Sequence, residues 1–470
     1  MKIKVLSEDQ IERIKLLTEE MIENVGFRVE HGGLLKTAAK AGAVVDESSQ
    51  MVKITAKLLR ELLSKVPRSY IARGIDGKEY NLGGGRQYIG AIVTDPWIVD
   101  YKTMEPRRPC LEDVRTNTIL SQRNEDVASI GRMDFPVTDY KDDTSSLRAL
   151  EIHLLNHAKH YNVYAGSLEG FRQWLDIGKV LSHGGDLAGS KLMTVAVAIV
   201  SPLILTDINA ELLLGATANS FTVIPTICPM AGTTSPYSKD ATLLQGNVEN
   251  IFLAALTQMV KPGNPYLYAF GPSVSNMKTG HDLYYTLDKI PWKIATTELA
   301  KSYCIPTSAE CGGTLSPRYD MQSGAESMLF MLTAQNSGAD IISGLGSCYN
   351  ANGLSSEMIV IQSEWLKAAK YLGHGISTEY LEEGIESIKT QGPGGNFLTD
   401  DLTIKNLRSN EFFAGNLFDT SGGYETAPTL LRNAHTKVEE LTSGYKSPVP
   451  ENIQEGLKRY FHDLYKKMGS

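Results

Sequence analysis

The chain has 470 residues, with 46 Lys and Arg against 54 Asp and Glu, a formal net charge of −8. That balance argues against a nucleic-acid partner, which needs a basic face. Five scattered cysteines (Cys110, Cys228, Cys304, Cys311, Cys348) form no CxxC, there is no N-terminal signal segment, and no run approaches the roughly 20 apolar residues needed to cross a bilayer, so a reduced, cytoplasmic setting without a membrane is expected.

Residues 1–80 read as a helical cap. Ser7, Glu8, Asp9 and Gln10 supply an N-cap and an acidic first turn, apolar positions recur at Ile11, Ile14, Leu17, Met21 and Ile22, and Gly26 ends the helix. A short strand at 28–30 and helices near 33–41 and 55–65 follow. From residue 88 the rhythm changes. Apolar, β-branched runs at 88–94, 127–135, 162–167, 192–200, 221–230, 266–271, 305–310 and 340–344 alternate with helical patterns near 111–123, 145–160, 169–182, 207–219, 239–260, 283–302, 322–337 and 356–372. Strands separated by helices of this length imply βαβ crossovers and a parallel sheet. No G-x-G-x-x-G follows an early strand, so these units predict an α/β fold, a closed (β/α)8 TIM barrel over 88–372, in preference to a Rossmann-type sheet. Residues 374–470 turn helical and charged, with a turn at Gly392–Gly395 and a terminal amphipathic helix. They predict a helical extension packed on the barrel.

Barrel chemistry sits where strands end. The segment 305–324 is the most informative: a strand ending in Glu310, then Gly312 and Gly313, a polar loop, and a helix opening near Tyr319. The paired glycines predict open space at the strand end. Trp97, Tyr101, Phe135, Tyr268, Phe270 and Tyr349 bring aromatic faces to the predicted mouth. Such walls with a few carboxylates suit a quaternary ammonium, held by cation–π attraction of roughly 0.5–2 kcal/mol per ring; ordinary packing is the competing reading of any single ring. Arg318 and Asn352, with Arg132, Lys278 and Asn350, are candidates for a substrate carboxylate. His153 and His157, four apart with His160 nearby, read as a surface stripe on an outer helix, and no zinc spacing exists, so no metal is expected. Gly83–Gly85 lacks the Lys-Ser/Thr of a phosphate cradle and reads as a turn. No G-x-S-x-G occurs and no motif places a histidine beside a cysteine, which leaves walls without a nucleophile.

With these residues in view, the chain resembles the trimethylamine:corrinoid methyltransferase superfamily, in its branch without pyrrolysine that contains glycine betaine and other quaternary amine enzymes. The resemblance is nearly full-length. It runs through Leu6–Glu8, Glu23–Val29, Ala41–Asp46, Lys65–Arg68, Ala72–Asp76, Met230–Pro236, Asn247–Glu249, Lys278–Gly280, Asp320–Glu326, Gly394–Leu398, Phe413, Asp419 and Tyr424-Glu425. It implies a (β/α)8 barrel that moves a methyl group from a methylated amine to the Co(I) form of a partner corrinoid protein. No cofactor is then bound directly, because the partner supplies the corrinoid. Pyrrolysine in the trimethylamine enzymes sits seven residues before the Asp of D-x-Q-x-G, and counting back from Asp320 lands on Gly313. The resemblance thus marks Gly313 as the catalytic position and points away from trimethylamine; the strand-end Glu310 is the second catalytic candidate, with Gly312 beside the substrate. A quaternary amine such as glycine betaine, proline betaine or carnitine needs no imine adduct, since it leaves as a neutral tertiary amine. Betaine binding without methyl transfer and a tertiary-amine methyltransferase are the alternatives. The sequence leaves room for a homo-oligomer.

Overall fold

The computed structural model describes residues 3–407, 409, 411–415, 417–420 and 429–469; Tyr424 and Glu425 of the tail motif lie outside the described residues. Barrel strands β1 (Tyr88–Ile92), β2 (Val127–Arg132), β3 (His160–Val163), β4 (Met193–Ala198), β5 (Thr222–Thr226), β7 (Ser308–Glu310) and β8 (Ile341–Ser343) form one sheet in the order β5-β4-β3-β2-β1-β8-β7. A short strand β6 (266–268) closes it, through parallel bridges from Val223 to Tyr266 and from Tyr268 to Thr307. Every pairing around the ring is parallel. The expected barrel is present.

Helices α1 (Leu111–Arg123), α2 (Ser145–Leu155), α3 (Leu168–Leu181), α4 (Asp207–Ala218), α5 (Lys239–Val260), α6 (Lys289–Ser302), α7 (Met321–Ser337) and α8 (Ser356–His374) follow the strands in turn. Their starts are fixed by side-chain caps where the sequence supplies one: Ser167 for α3, Asp320 for α7 and Ser355 for α8 each accept from a first-turn amide. Helix α5 is buried on nearly every side. The reason is the N-terminal segment, whose helices Glu8–Asn24 and Ala56–Leu63 pack over it while Phe27 stacks on Phe252 at 3.8 Å. That segment carries its three expected helices together with short strands, including an antiparallel pair, Met51–Lys53 on Val44–Asp46. The C-terminal helix Glu451–Met468 lays Ile453, Leu457, Phe461 and Tyr465 on α2 and α3, one face at helical spacing.

The two ends of the barrel differ. A hairpin, Tyr70–Arg73 with Glu79–Leu82, plugs the end where strands begin, packing Tyr70, Tyr80 and Leu82 on Tyr88, Ala128, Leu267 and Ile341. Side chains alternate along a strand, so above Ile224, which belongs to that plug, Thr226 and Cys228 also face inward. Both are solvent-exposed. The barrel is therefore filled at the bottom and hollow at the mouth. No helix among the described residues is long and apolar enough to cross a membrane.

Candidate active site

The hollow collects a charged cluster that the helix register dictates. Lys289 and Lys293 lie one turn apart at the start of α6 and point at the carboxylate ending β7. Glu310 Oε2 lies 3.2 Å from Lys289 Nζ and 3.0 Å from Lys293 Nζ, and the Tyr284 hydroxyl donates to Oε1. The Lys289 side chain is 0% exposed, and its ammonium sits 2.7 Å from the centre of the Tyr284 ring. Burial raises the Glu310 carboxyl, but the two lysines and Tyr284 outweigh burial and hold it below the carboxylate range. Burial pushes Lys289 well below the usual lysine value although Glu310 opposes this. Its place at the positive end of α6 acts in the same direction.

Glu310 keeps 16% of its side-chain surface exposed although burial is the largest influence on it. Cys228 is likewise exposed while burial raises its thiol. Accessible surface on groups set this deep marks a cavity inside the barrel mouth. Tyr164 and Asp95 share that character: each is half-buried, and burial pushes the Tyr164 hydroxyl up to about 12 and the Asp95 carboxyl up to about 8. A further recess of 520 Å³ lies at the lip between His281, Asp282, Leu283, Leu315, Tyr349, Asn350 and Asn352.

The segment 282–285 covers the cluster; Asp282 and Leu283 pair antiparallel with Ser275 and Val274, and one side chain fastens the rest. Asn350 Oδ1 accepts from the amides of Tyr284 (2.7 Å) and Tyr285 (3.2 Å), and its Nδ2 donates to the Asp282 carbonyl at 2.6 Å. Tyr285 then lies on the paired glycines. A Cβ at Gly313 would stand 2.2 Å from the Tyr285 ring, and one at Gly312 would stand 2.0 Å from the Gly344 carbonyl oxygen. This corrects the expected open space: a ring and a backbone fill it, and Gly313 also holds φ +141°.

The structure brings only part of the expected aromatic set together. Trp97 and Tyr349 are neighbours at 6.2 Å, but the Arg108 guanidinium already lies 3.8 Å from the Trp97 ring. Tyr101 stacks on His435 at 3.8 Å. Tyr268 and Phe270 are buried core, Phe135 is half-buried beside Arg132, which bonds its carbonyl, and Arg318 is exposed. Asn352 lines the lip recess with Tyr349. The histidines are a second correction. His153 and His157 are 0% exposed, with their Nε2 atoms 3.1 Å apart, because the C-terminal helix roofs α2; burial pushes both below the usual histidine value, helped by Arg132 at His153 and by His153 and then Lys159 at His157. Sequence reasoning missed Lys289, Lys293, Tyr284 and Tyr285. The available signal was a lysine pair at i, i+4 directly after a Tyr-Tyr pair, which alone reads as a solvated helix face.

Comparison with known proteins agrees with the architecture. The family model described as "Trimethylamine methyltransferase (MTTB)" matches residues 1–469. A glycine betaine methyltransferase of Desulfitobacterium hafniense (strain Y51) is 24% identical, covering 100% of this chain and 98% of that protein. A proline betaine:corrinoid methyltransferase of Eubacterium limosum is 24% identical over 97% of each chain, and a trimethylamine methyltransferase of Desulfitobacterium hafniense (strain DSM 10664 / DCB-2) is 23% identical over 98% and 94%. Among solved structures, the monomethylamine methyltransferase of Methanosarcina barkeri shares the fold, with a TM-score of 0.51 at 13% identity over 94% and 90% of the chains. With a family model spanning nearly the whole sequence on a matching barrel, this chain belongs to the trimethylamine methyltransferase (MTTB) family.

Proposed function

We propose that the protein transfers a methyl group from a quaternary amine to the Co(I) corrinoid of a partner corrinoid protein. The observation that carries this reading is Gly313, which has no side chain to form an adduct and whose surroundings are filled by Tyr285. A tertiary amine demethylated directly would leave as a poor, amide-like anion. A quaternary amine takes the C–N electron pair with it as a neutral tertiary amine, so the site needs neither an adduct nor an acid. The cluster fits that demand: Glu310 is neutralised by two lysines and a tyrosine hydroxyl, and it stays ionised as a fixed charge instead of cycling a proton. The relatives named for glycine betaine and proline betaine support the substrate class.

On this reading the reduced corrinoid supplies the nucleophile and the chain supplies positioning and electrostatics. The partner must reach the mouth, so the lip formed by 281–283 and 349–352 is the docking side. The test is purified protein with free Co(I) cobalamin and a panel of betaines, carnitine and trimethylamine. Demethylation of a quaternary amine, with trimethylamine untouched, is the expected result. Trimethylamine turnover matching the best betaine would refute the leaving-group argument.

A further inference from the structure

The recess at the lip contains a carboxylate that the reading above leaves unused. Its 520 Å³ fall within the range of small-ligand pockets. Asp282 is the single carboxylate of the lining, and no Lys or Arg joins it there. Asp282 is half-buried, its Oδ1 is buried with no partner, and its carboxylate has neither a hydrogen-bond donor nor an ion pair among the described residues. By contrast, Glu310 has its two lysines and Asp134 has Arg132 at 3.0 Å.

Most of the remaining lining is apolar or already engaged. Leu283, Leu315 and Tyr349 are half-buried. Asn350 spends both amide atoms on the segment 282–285, and Asn352 donates to the Asn350 carbonyl at 3.1 Å. The Tyr349 ring leans on Trp97, whose own face the Arg108 guanidinium occupies, so Tyr349 is the ring left for a ligand. These walls are set in advance: Asp282 pairs with Ser275 and its carbonyl accepts from Asn350 at 2.6 Å, while the Tyr349 amide donates to the Ser316 carbonyl at 3.0 Å. A ligand entering such a site bears little ordering cost.

One unpartnered carboxylate beside a ring and two leucines calls for a cation, and the kind of cation follows from the ligands on offer. A divalent metal takes about six oxygens, and among the described residues no three His, Cys, Asp or Glu side chains stand close enough to hold one. A primary ammonium carries three N–H groups and wants an acceptor for each, where Asp282 is the one carboxylate. A quaternary ammonium has charge and methyl groups but no N–H, and a single carboxylate with apolar walls suffices for it. We propose that the lip recess is a quaternary-ammonium subsite, with Asp282 as counter-ion and Tyr349, Leu283 and Leu315 around the methyl groups. Its place in the reaction rests on the quaternary-amine reading above, since a cation held at the lip offers an N-methyl to a corrinoid arriving on that side.

The experiment is calorimetric titration of the full chain, without cobalamin, with tetramethylammonium, with choline, and with dimethylbutanol, the uncharged carbon isostere of choline. Both cations should bind, and the isostere should bind at least about tenfold more weakly than choline. Asp282→Asn should remove that difference by weakening the cations alone. Its carboxylate has no partner to lose, so the melting temperature should hold. Tyr349→Leu should weaken tetramethylammonium about two- to thirtyfold, and Tyr349→Phe, which keeps the ring, should not. Equal binding of choline and its isostere, no binding of either cation, or unchanged cation affinity in a folded Asp282→Asn protein overturns the proposal; the first two outcomes need no variant. Cation binding that depends on Asp282 without any cobalamin methylation leaves the subsite intact and removes the methyl-transfer reading. Methyl transfer from a quaternary amine with an unchanged KM in Asp282→Asn does the reverse.

Discussion

A single methyl at position 313 would have to displace the Tyr285 ring, because the Cβ would lie 2.2 Å from it. Gly313→Ala is therefore expected to cost about 1–3 kcal/mol of overpacking, with the φ conflict added, and to lower the melting temperature. In a Tyr285→Ala background the steric part disappears, so a double-mutant cycle should show strong coupling. Additive losses would mean that the ring does not rest on the glycine. Glu310 gives the second residue-scale prediction. Glu310→Gln leaves two buried ammonium groups facing an amide, and breaking such a pair costs about 3–5 kcal/mol, less whatever Lys289 recovers by giving up its proton. The pH sign follows from the lowered carboxyl. Its contribution is fully present above the ordinary glutamate value of about 4.3 and fades as pH falls through the depressed folded value. Acid denaturation curves should accordingly lose part of their slope in Glu310→Gln, and identical curves would contradict the pairing.

At the scale of elements, the lid of the cluster depends on a strained turn. Tyr349, Asn350 and Ala351 hold φ of 49°, 56° and 60°, a left-handed run in which Asn is better tolerated than other residues with a Cβ. Asn350 occupies its centre and makes three of the bonds that fasten 282–285, including those to the Tyr284 and Tyr285 amides. Asn350→Ala removes the bonds and the conformational preference together, so the cover should loosen while the barrel stays folded. Hydrogen exchange at the Tyr284 and Tyr285 amides is the measurement, with acceleration of about tenfold or more expected for opening made easier by about 1.4 kcal/mol. Unchanged protection at both amides would show that Tyr285 packing on Gly313 suffices to hold the segment. The same elements show why the sequence discloses this region only partly. Two lysines at i, i+4 look like a solvated stripe until the helix is placed against Glu310. Two glycines disclose missing side chains without disclosing that a ring from another loop fills the gap.

For the whole molecule, periodicity carries the architecture: the helix read at 111–123 is Leu111–Arg123, that at 239–260 is Lys239–Val260, and every strand run but one holds its barrel strand; the run at 162–167 only overlaps His160–Val163, whose start falls in the helix read at 145–160. Those patterns depend on local burial, which the sequence states directly. What they omit is which inward residues meet which layer, and Tyr268 shows the consequence. Read along the chain it is a mouth aromatic; in three dimensions it belongs to the element that closes the barrel. It pairs β6 to β7 through Thr307, is 0% exposed, and donates its hydroxyl to Asn247 of α5. Asn247 in turn donates to Thr18 of the N-terminal helix at 2.7 Å, so one chain of contacts ties barrel, helical shell and N-terminal segment. Tyr268→Ala should therefore cost about 3–5 kcal/mol through the cavity it leaves. Tyr268→Phe keeps the ring and strands the Asn247 oxygen, at about 1–3 kcal/mol. Denaturant midpoints measure both, and tetramethylammonium affinity in the folded Phe variant should match the unmodified protein. A weakened affinity with unchanged stability would instead turn Tyr268 toward the ligand, on the β6 side of the mouth.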